Sequence, residues 1–172
     1  MAGGAVRRRP LLMMVIALSV ALATAPAHGF VAPAFDDFSV APSRLKVVKP
    51  PDLSSHADAR TFRTVLRNGA KAGVNFAGHY TVVTWGCGSP CKRLALVDRW
   101  TGQVSFPPIW PALDAEFRVD SALLVVDSRE AIRGVGPELR YLFYTQYWVW
   151  EEQLRAFRLL GEYPDEKERS SR

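Results

Sequence analysis

From residue 76 onward the chain is a succession of short runs of aromatic and β-branched residues, each stopped by glycine, proline or a charged turn. Residues 76–85 (Phe-Ala-Gly-His-Tyr-Thr-Val-Val-Thr-Trp) open the series. A short apolar run, 93–98, follows, and Arg99-Trp-Thr-Gly-Gln turns the chain into 104–106. Pro107, Pro108 and Pro111 break the pattern, after which 116–119 and 122–127 suggest a further pair. Beyond the loop Gly134-Val-Gly-Pro137, residues 140–149 and 153–160 read as a hairpin about Trp150-Glu-Glu. Such runs are strands, and consecutive strands on short turns most simply pair as an antiparallel meander. The expected class is α+β: mainly an antiparallel β meander sheet with one amphipathic helix packed on it.

The helix comes before the strands. Asp58-Ala-Arg-Thr-Phe-Arg-Thr-Val-Leu-Arg-Asn-Gly places Ala59, Phe62, Val65 and Leu66 on one stripe and Arg60, Arg63, Thr64 and Arg67 opposite. Ser54, Ser55 or Asp58 can cap its start, and Gly69 or Gly73 can supply the left-handed residue at its end.

The amino terminus follows a different logic. Arg7, Arg8 and Arg9 precede an apolar run from Leu11 to about Ala23, followed by small residues. That run is shorter than the roughly 20 residues a bilayer crossing needs, so residues 1–29 read as a cleavable secretory signal rather than an uncleaved anchor. Cleavage fits before His28 or before Phe30. The organisation expected is a signal peptide over 1–29, an extended arm over 30–55 with an edge strand near 45–48, a single α+β domain over 56–161 and a disordered charged tail over 162–172. Removing the signal leaves 19 Lys and Arg against 17 Asp and Glu, because three of the 22 basic residues lie within it. The net charge of about +2 offers no footprint for nucleic acid, and no later run is apolar enough to span a membrane. The expected location is periplasmic or secreted.

Cys87 and Cys91 are the only cysteines, and they sit in Trp85-Gly-Cys-Gly-Ser-Pro-Cys-Lys between two expected strands. In an exported chain such a pair points to a disulfide. Three other readings compete. A redox pair would have one residue fewer between the thiols and a helix start. Structural zinc needs about four ligands, and only His56, His79 and a carboxylate could join the two thiolates. A cysteine nucleophile with His79 as base needs one thiol to stay free. No metal, cofactor or catalytic residue is therefore called for.

His79 starts a strand and shares a face with Thr81, Val83 and Trp85, where a packed structural histidine is the commoner outcome. The aromatic set between Tyr141 and Trp150 divides over both faces of its expected strand. That pattern fits burial on two sides better than a sugar-stacking surface. Glu151, Glu152, Asp120 and Asp127 lie in or beside turns and make poor acid–base candidates.

The stretch from Gly73 to Cys91, with Asn-Phe-Ala-Gly-His-Tyr and Trp-Gly-Cys-Gly before a second cysteine, resembles a group of uncharacterised exported bacterial proteins. The Val-Asp and Thr-Gly of Leu94-Ala-Leu-Val-Asp-Arg-Trp-Thr-Gly-Gln-Val extend the likeness. The resemblance implies a bacterial periplasmic setting and carries no activity with it. The leading expectation is a non-catalytic binding or inhibitor-like module that presents the disulfide loop, with His79, Trp85, Gly86, Gly88 and Asp98 as its candidate surface. An envelope protein or a glycan is its expected partner. The rivals are a small hydrolase or thiol-redox enzyme centred on His79, Cys87 and Cys91, and a glycan- or peptidoglycan-binding domain using exposed Trp and Tyr.

Overall fold

The strands divide between two antiparallel sheets, each a meander in chain order. The computed structural model describes Met1, residues 31–44 and residues 48–163, and the chain divides into Met1–Val31 and Ala32–Arg172. The expected signal segment lies almost wholly outside the described residues, as do most of the edge strand near 45–48 and most of the tail.

The first sheet has the order β1 (Tyr80–Gly88), β2 (Cys91–Asp98) and β3 (Val104–Ser105). The second has β4 (Ala115–Phe117), β5 (Leu123–Val126), β6 (Thr145–Glu151) and β7 (Ala156–Tyr163). The first sheet is buried on both faces. Tyr80, Val82, Leu94 and Leu96 join Leu124, Val126 and Trp150 of the second sheet in one core. Val83, Ala95, Val97 and Val104 pack with Ala59 and Leu66 in the other. This double burial accounts for the unbroken run Leu94-Ala-Leu-Val, since a strand with two interiors has no solvent face to alternate with. The result is three layers: helix, sheet, sheet.

The helical segment is shorter and more broken than its periodicity predicts. A 3₁₀ turn at Ala57–Ala59 leads to α1 (Arg63–Gly69), and a second 3₁₀ turn at Ala70–Ala72 ends at Gly73, whose φ is 78°. Phe62, at φ −96° and ψ 18°, interrupts the helix, yet Ala59, Phe62, Val65 and Leu66 still face the sheet together. The opening cap is His56, whose Nδ1 accepts the Asp58 N–H at 3.1 Å. Ser55 is engaged elsewhere, its Oγ accepting the Val104 N–H. Gly69 stays right-handed; its requirement is space, because a Cβ there would collide with both methyls of Val83.

Two expectations for the second sheet need correction. A second helix, α2 (Arg129–Arg133), follows β5, with the Ser128 hydroxyl capping the Ala131 N–H and Gly134 closing the other end. The strand expected over 140–149 begins only at Thr145. The Arg140 guanidinium turns back to donate to the carbonyls of Arg133 and Val135, the use to which cations are put at helix carboxyl ends. Tyr141, Leu142 and Tyr144 are thereby left outside the sheet and exposed, while Tyr147 and Trp150 are buried.

Residues 35–44 and 48–52 reach both sheets. Val40 donates to the Asp120 carbonyl, Ser43 to Gly78, Lys49 to Arg99 and Asp52 to Gly102. Phe38 and Val40 pack against the inter-sheet core. Gly78 and Gly102 have φ of 80° and 86°, and a Cβ on either would strike the carbonyl oxygen of Ala41 or Pro50.

Gly69→Ala should destabilise the protein by about 1–3 kcal/mol, although alanine has the higher helix propensity. The comparison is of urea-unfolding midpoints. A gain in stability would show that α1 can move away from Val83.

Candidate functional site

The β1–β2 hairpin carries chemistry-bearing residues at both ends, and its register keeps the two sets apart. Tyr80 lies opposite Asp98 at one end and Gly88 opposite Cys91 at the other. Eight residue steps separate His79 from Cys87, roughly 26 Å along a strand. The histidine and the cysteines therefore share no cavity, and the two thiols are bonded to each other across a Cα–Cα distance of 5.2 Å. His79 and the cysteines are thus not placed to act on one another.

At the His79 end the backbone is set by local pairing. Asn75 holds both the N–H and the C=O of Val82 through its side-chain amide. Ala77 and Gly78 turn with positive φ, and His79 donates its N–H to the Ala77 carbonyl. Asp98 closes β2, and its Oδ1 accepts the N–H groups of Trp100 at 2.8 Å and Thr101 at 3.3 Å. That bend lays the Trp100 indole flat on the imidazole, with centroids 3.6 Å apart and planes 6° apart. Ser43 then accepts the indole N–H.

The turn between β6 and β7 brings two further charges. Glu152 accepts the Tyr80 hydroxyl at 2.9 Å and the Trp150 indole N–H at 2.8 Å. Arg155, at φ 50°, reaches the other oxygen of Asp98 at 3.2 Å. His79 Nε2 is buried 3.8 Å from Asp98 Oδ1 and 3.8 Å from Glu152 Oε1, without a hydrogen bond. Burial pushes the His79 pKa below its ordinary value, against the two carboxylates, which would raise it. Burial alone would raise the Asp98 pKa, but bonds from Thr101, the Trp100 N–H and Arg155 outweigh it and hold the carboxyl low. Burial and the bond to Glu152 push Tyr80 well above the usual phenol range. The cluster fastens one sheet to the other through a neutral imidazole, two carboxylates and one guanidinium. Beside it, Pro107, Pro108, Ile109, Trp148, Trp150 and Phe157 line a pocket of about 370 Å³.

The cysteine end is built differently. Residues 86–90 are exposed, and the disulfide closes a loop beyond both cores. Behind it runs a groove of about 610 Å³. Gly86, Gly88 and Lys92 form one wall, residues 112–114 a second, and Ala131, Gly134 and Val135 a third. Lys92 spans it to Asp114 at 3.1 Å.

The candidate surface thus separates into three places. His79 and Asp98 meet, buried, at one end. Gly86 and Gly88 line the groove at the other. Trp85 faces α1, where it is half-buried against Phe62 and Phe106, and the Arg93 guanidinium lies 4.6 Å over the Phe62 ring. Glu152 and Arg155 escaped notice as partners of His79, because they stand more than fifty residues from Asp98 and nothing local links them. Asp127, a flanking carboxylate in the sequence, is a structural acceptor for the N–H groups of Ala112, Leu113 and Asp114. Among the described residues no group of three His, Cys, Asp or Glu is placed to hold a metal ion, and no helix is long and apolar enough to cross a membrane. No known protein family, no curated protein and no solved structure matches this chain.

The lowered His79 pKa has a definite sign. The unfolded chain binds a proton near pH 6.5 and the folded protein only at lower pH, so this contribution is present above pH 6.5 and is lost as pH falls towards the folded pKa. Urea midpoints measured from pH 8 down to pH 5 should fall below pH 6.5 in the native protein. The fall should shrink in His79→Gln; an equal fall in both proteins would remove His79 as its source.

Proposed function

We propose that this protein is an exported, periplasmic, non-catalytic binding module whose recognition surface is the disulfide-closed tip of β1 and β2 with the groove behind it. Gly86 carries this reading. A glycine inside a strand costs about 0.5–1 kcal/mol relative to alanine, and nothing lies within 4 Å of the place its Cβ would occupy. The ladder bulges just beyond, at Cys87, but Gly86 itself is paired with Lys92, and no crowding excludes a side chain there. Strand glycines of this kind mark sites where another backbone or a ligand approaches closely. The groove volume of about 610 Å³ is that of a ligand site.

The disulfide supports the same reading. It closes a five-residue segment from Cys87 to Cys91 that contributes to neither core, so its main effect is on the shape of an exposed surface. A bonded pair also suits an oxidising compartment and agrees with the amino-terminal signal. The absence of catalysis is inferred from the separation of His79 from both cysteines and from the bonds that already occupy Asp98, Glu152 and Tyr80.

A photo-crosslinking residue at Ser89, in protein expressed with its signal, should form adducts with envelope components. The same residue at Leu154, exposed on the distant β6–β7 turn, should form none. Replacing both cysteines by serine should abolish the Ser89 adducts while lowering stability by about 2 kcal/mol. Equal adducts from both positions, or adducts indifferent to the double substitution, would remove the tip as the recognition surface. Retention on peptidoglycan that survives tip changes and is lost in Trp110→Ala would move recognition to the exposed tryptophan.

A further inference from the structure

Resting on that reading of the tip, we infer that the partner is an extended polypeptide segment that adds to the outer edge of β1 as a further strand. β1 lies at the edge of its sheet. Along an antiparallel strand, successive residues turn their N–H and C=O groups alternately towards the two sides. Those of Val82 face away from β2, since Asn75 holds both, and those of Tyr80 bond to Asn75 and Phe76 on the same side. Thr84 and Gly86 continue this alternation. Their main-chain groups point outward from exposed positions, and no group among the described residues outside the hairpin bonds to them.

A row of unpaired N–H and C=O groups is a template for another strand, and proteins usually blunt such edges. The other edges of the two sheets are blunted. The N–H of Val104 in β3 is taken by Ser55. β4 is three residues long with Glu116 at its centre. β7 carries Arg158 and Glu162 and is broken by a bulge opposite Tyr147 and Trp148. β1 is blunted by Asn75 as far as Val82, then runs on as Thr-Trp-Gly without a charge until the ladder bulges at Cys87. The free edge is therefore confined to 84–86. It is uncharged, backed by the disulfide and bare of side chain at Gly86.

The occupant follows from what fits a stretch so short. A second copy pairing antiparallel about Gly86 could offer only a short matching stretch, because its own strand bulges at Cys87 and turns at Ser89 and Pro90. A single extended segment of about five residues meets no such obstacle, and main-chain bonds of this kind are the basis of strand addition to sheet edges. Alternate side chains of the added strand project on the Gly86 face, the side of the groove. The residue beside Trp85 projects on the opposite face and meets the indole, so an apolar or aromatic residue belongs there.

The probe is a phage-displayed library of random linear peptides of about a dozen residues, selected on the oxidised full-length mature protein. Selected peptides should bind, and single N-methylation along a synthetic copy should weaken binding about tenfold at every second residue within a core segment and little between. Gly86→Pro removes the outward N–H and adds a ring at the bare position, a change edge strands accept, and should cost at least a similar factor. Should that variant fail to fold, the N-methyl series decides alone. Sensitivity without alternation overturns strand addition, and so does full binding by folded Gly86→Pro. If no peptide is selected while Ser89 still forms adducts, the tip reading stands and strand addition falls; if both fail, both fall. A dimer dissolved by Gly86→Pro would put a second copy on the edge and also overturn the inference.

Discussion

Eight paired positions along β1 and β2, from Tyr80–Asp98 to Gly88–Cys91, hold the molecule in one arrangement. Each residue of this hairpin between Tyr80 and Val83 is committed to one of two interiors. A slip of one residue exchanges the faces. Tyr80 would leave the inter-sheet core for the α1 side, and the Thr81 hydroxyl would exchange its bond to the Gly73 carbonyl for an apolar interior. Burying that hydroxyl unpaired costs about 1–3 kcal/mol, and the misplaced aromatic ring adds to it. The same register decides what the two ends can do, because it puts the imidazole and the disulfide at opposite extremes of one rigid ladder.

Much of this was legible in the residues. β-branched and aromatic runs mark all seven strands to within a few positions, and the stripe Ala59, Phe62, Val65 and Leu66 identifies the surface that meets the sheet. The disulfide follows from two cysteines in a Gly/Pro turn. Other features had no local signal. Leu94-Ala-Leu-Val says that a strand is buried twice but not what lies on either side, so the division into two sheets is invisible. α2 is five residues long, too short for a helical period to show, and only Ser128 and Gly134 mark its ends. The late start of β6 depends on Arg140 reaching carbonyls five and seven residues back. Periodicity does not register such a bond.

The candidate site divided for a similar reason. Strand alternation expects His79 and Trp85 on one face, but His79 precedes β1 and meets Tyr80, Trp100 and Glu152, whereas Trp85 packs on Phe62 beside α1. The His79 end is tied by internal bonds, Arg155 to Asp98 and Tyr80 and Trp150 to Glu152, and these join the sheets. The cysteine end has the opposite character. Its outward main-chain groups at Thr84 and Gly86 are open, several of its side chains are small, and the nearby ion pair, Lys92 with Asp114, is solvent-exposed and contributes little.

The arm, residues 35–44 and 48–52, has a consequence for the order of assembly. Val40 leaves the ribosome eighty residues ahead of Asp120, whose carbonyl it bonds, and Asp52 fifty ahead of Gly102. The bonds of Ser43, Lys49 and Asp52 need only the first sheet and its turns, whereas that of Val40 waits for the second, so the loop-closure entropy of the arm is spent in two stages. The first part of the domain to be synthesised therefore settles only as its later partners arrive. Gly78 and Gly102, with no side chain to obstruct the carbonyls of Ala41 and Pro50, are the two berths kept vacant for its arrival.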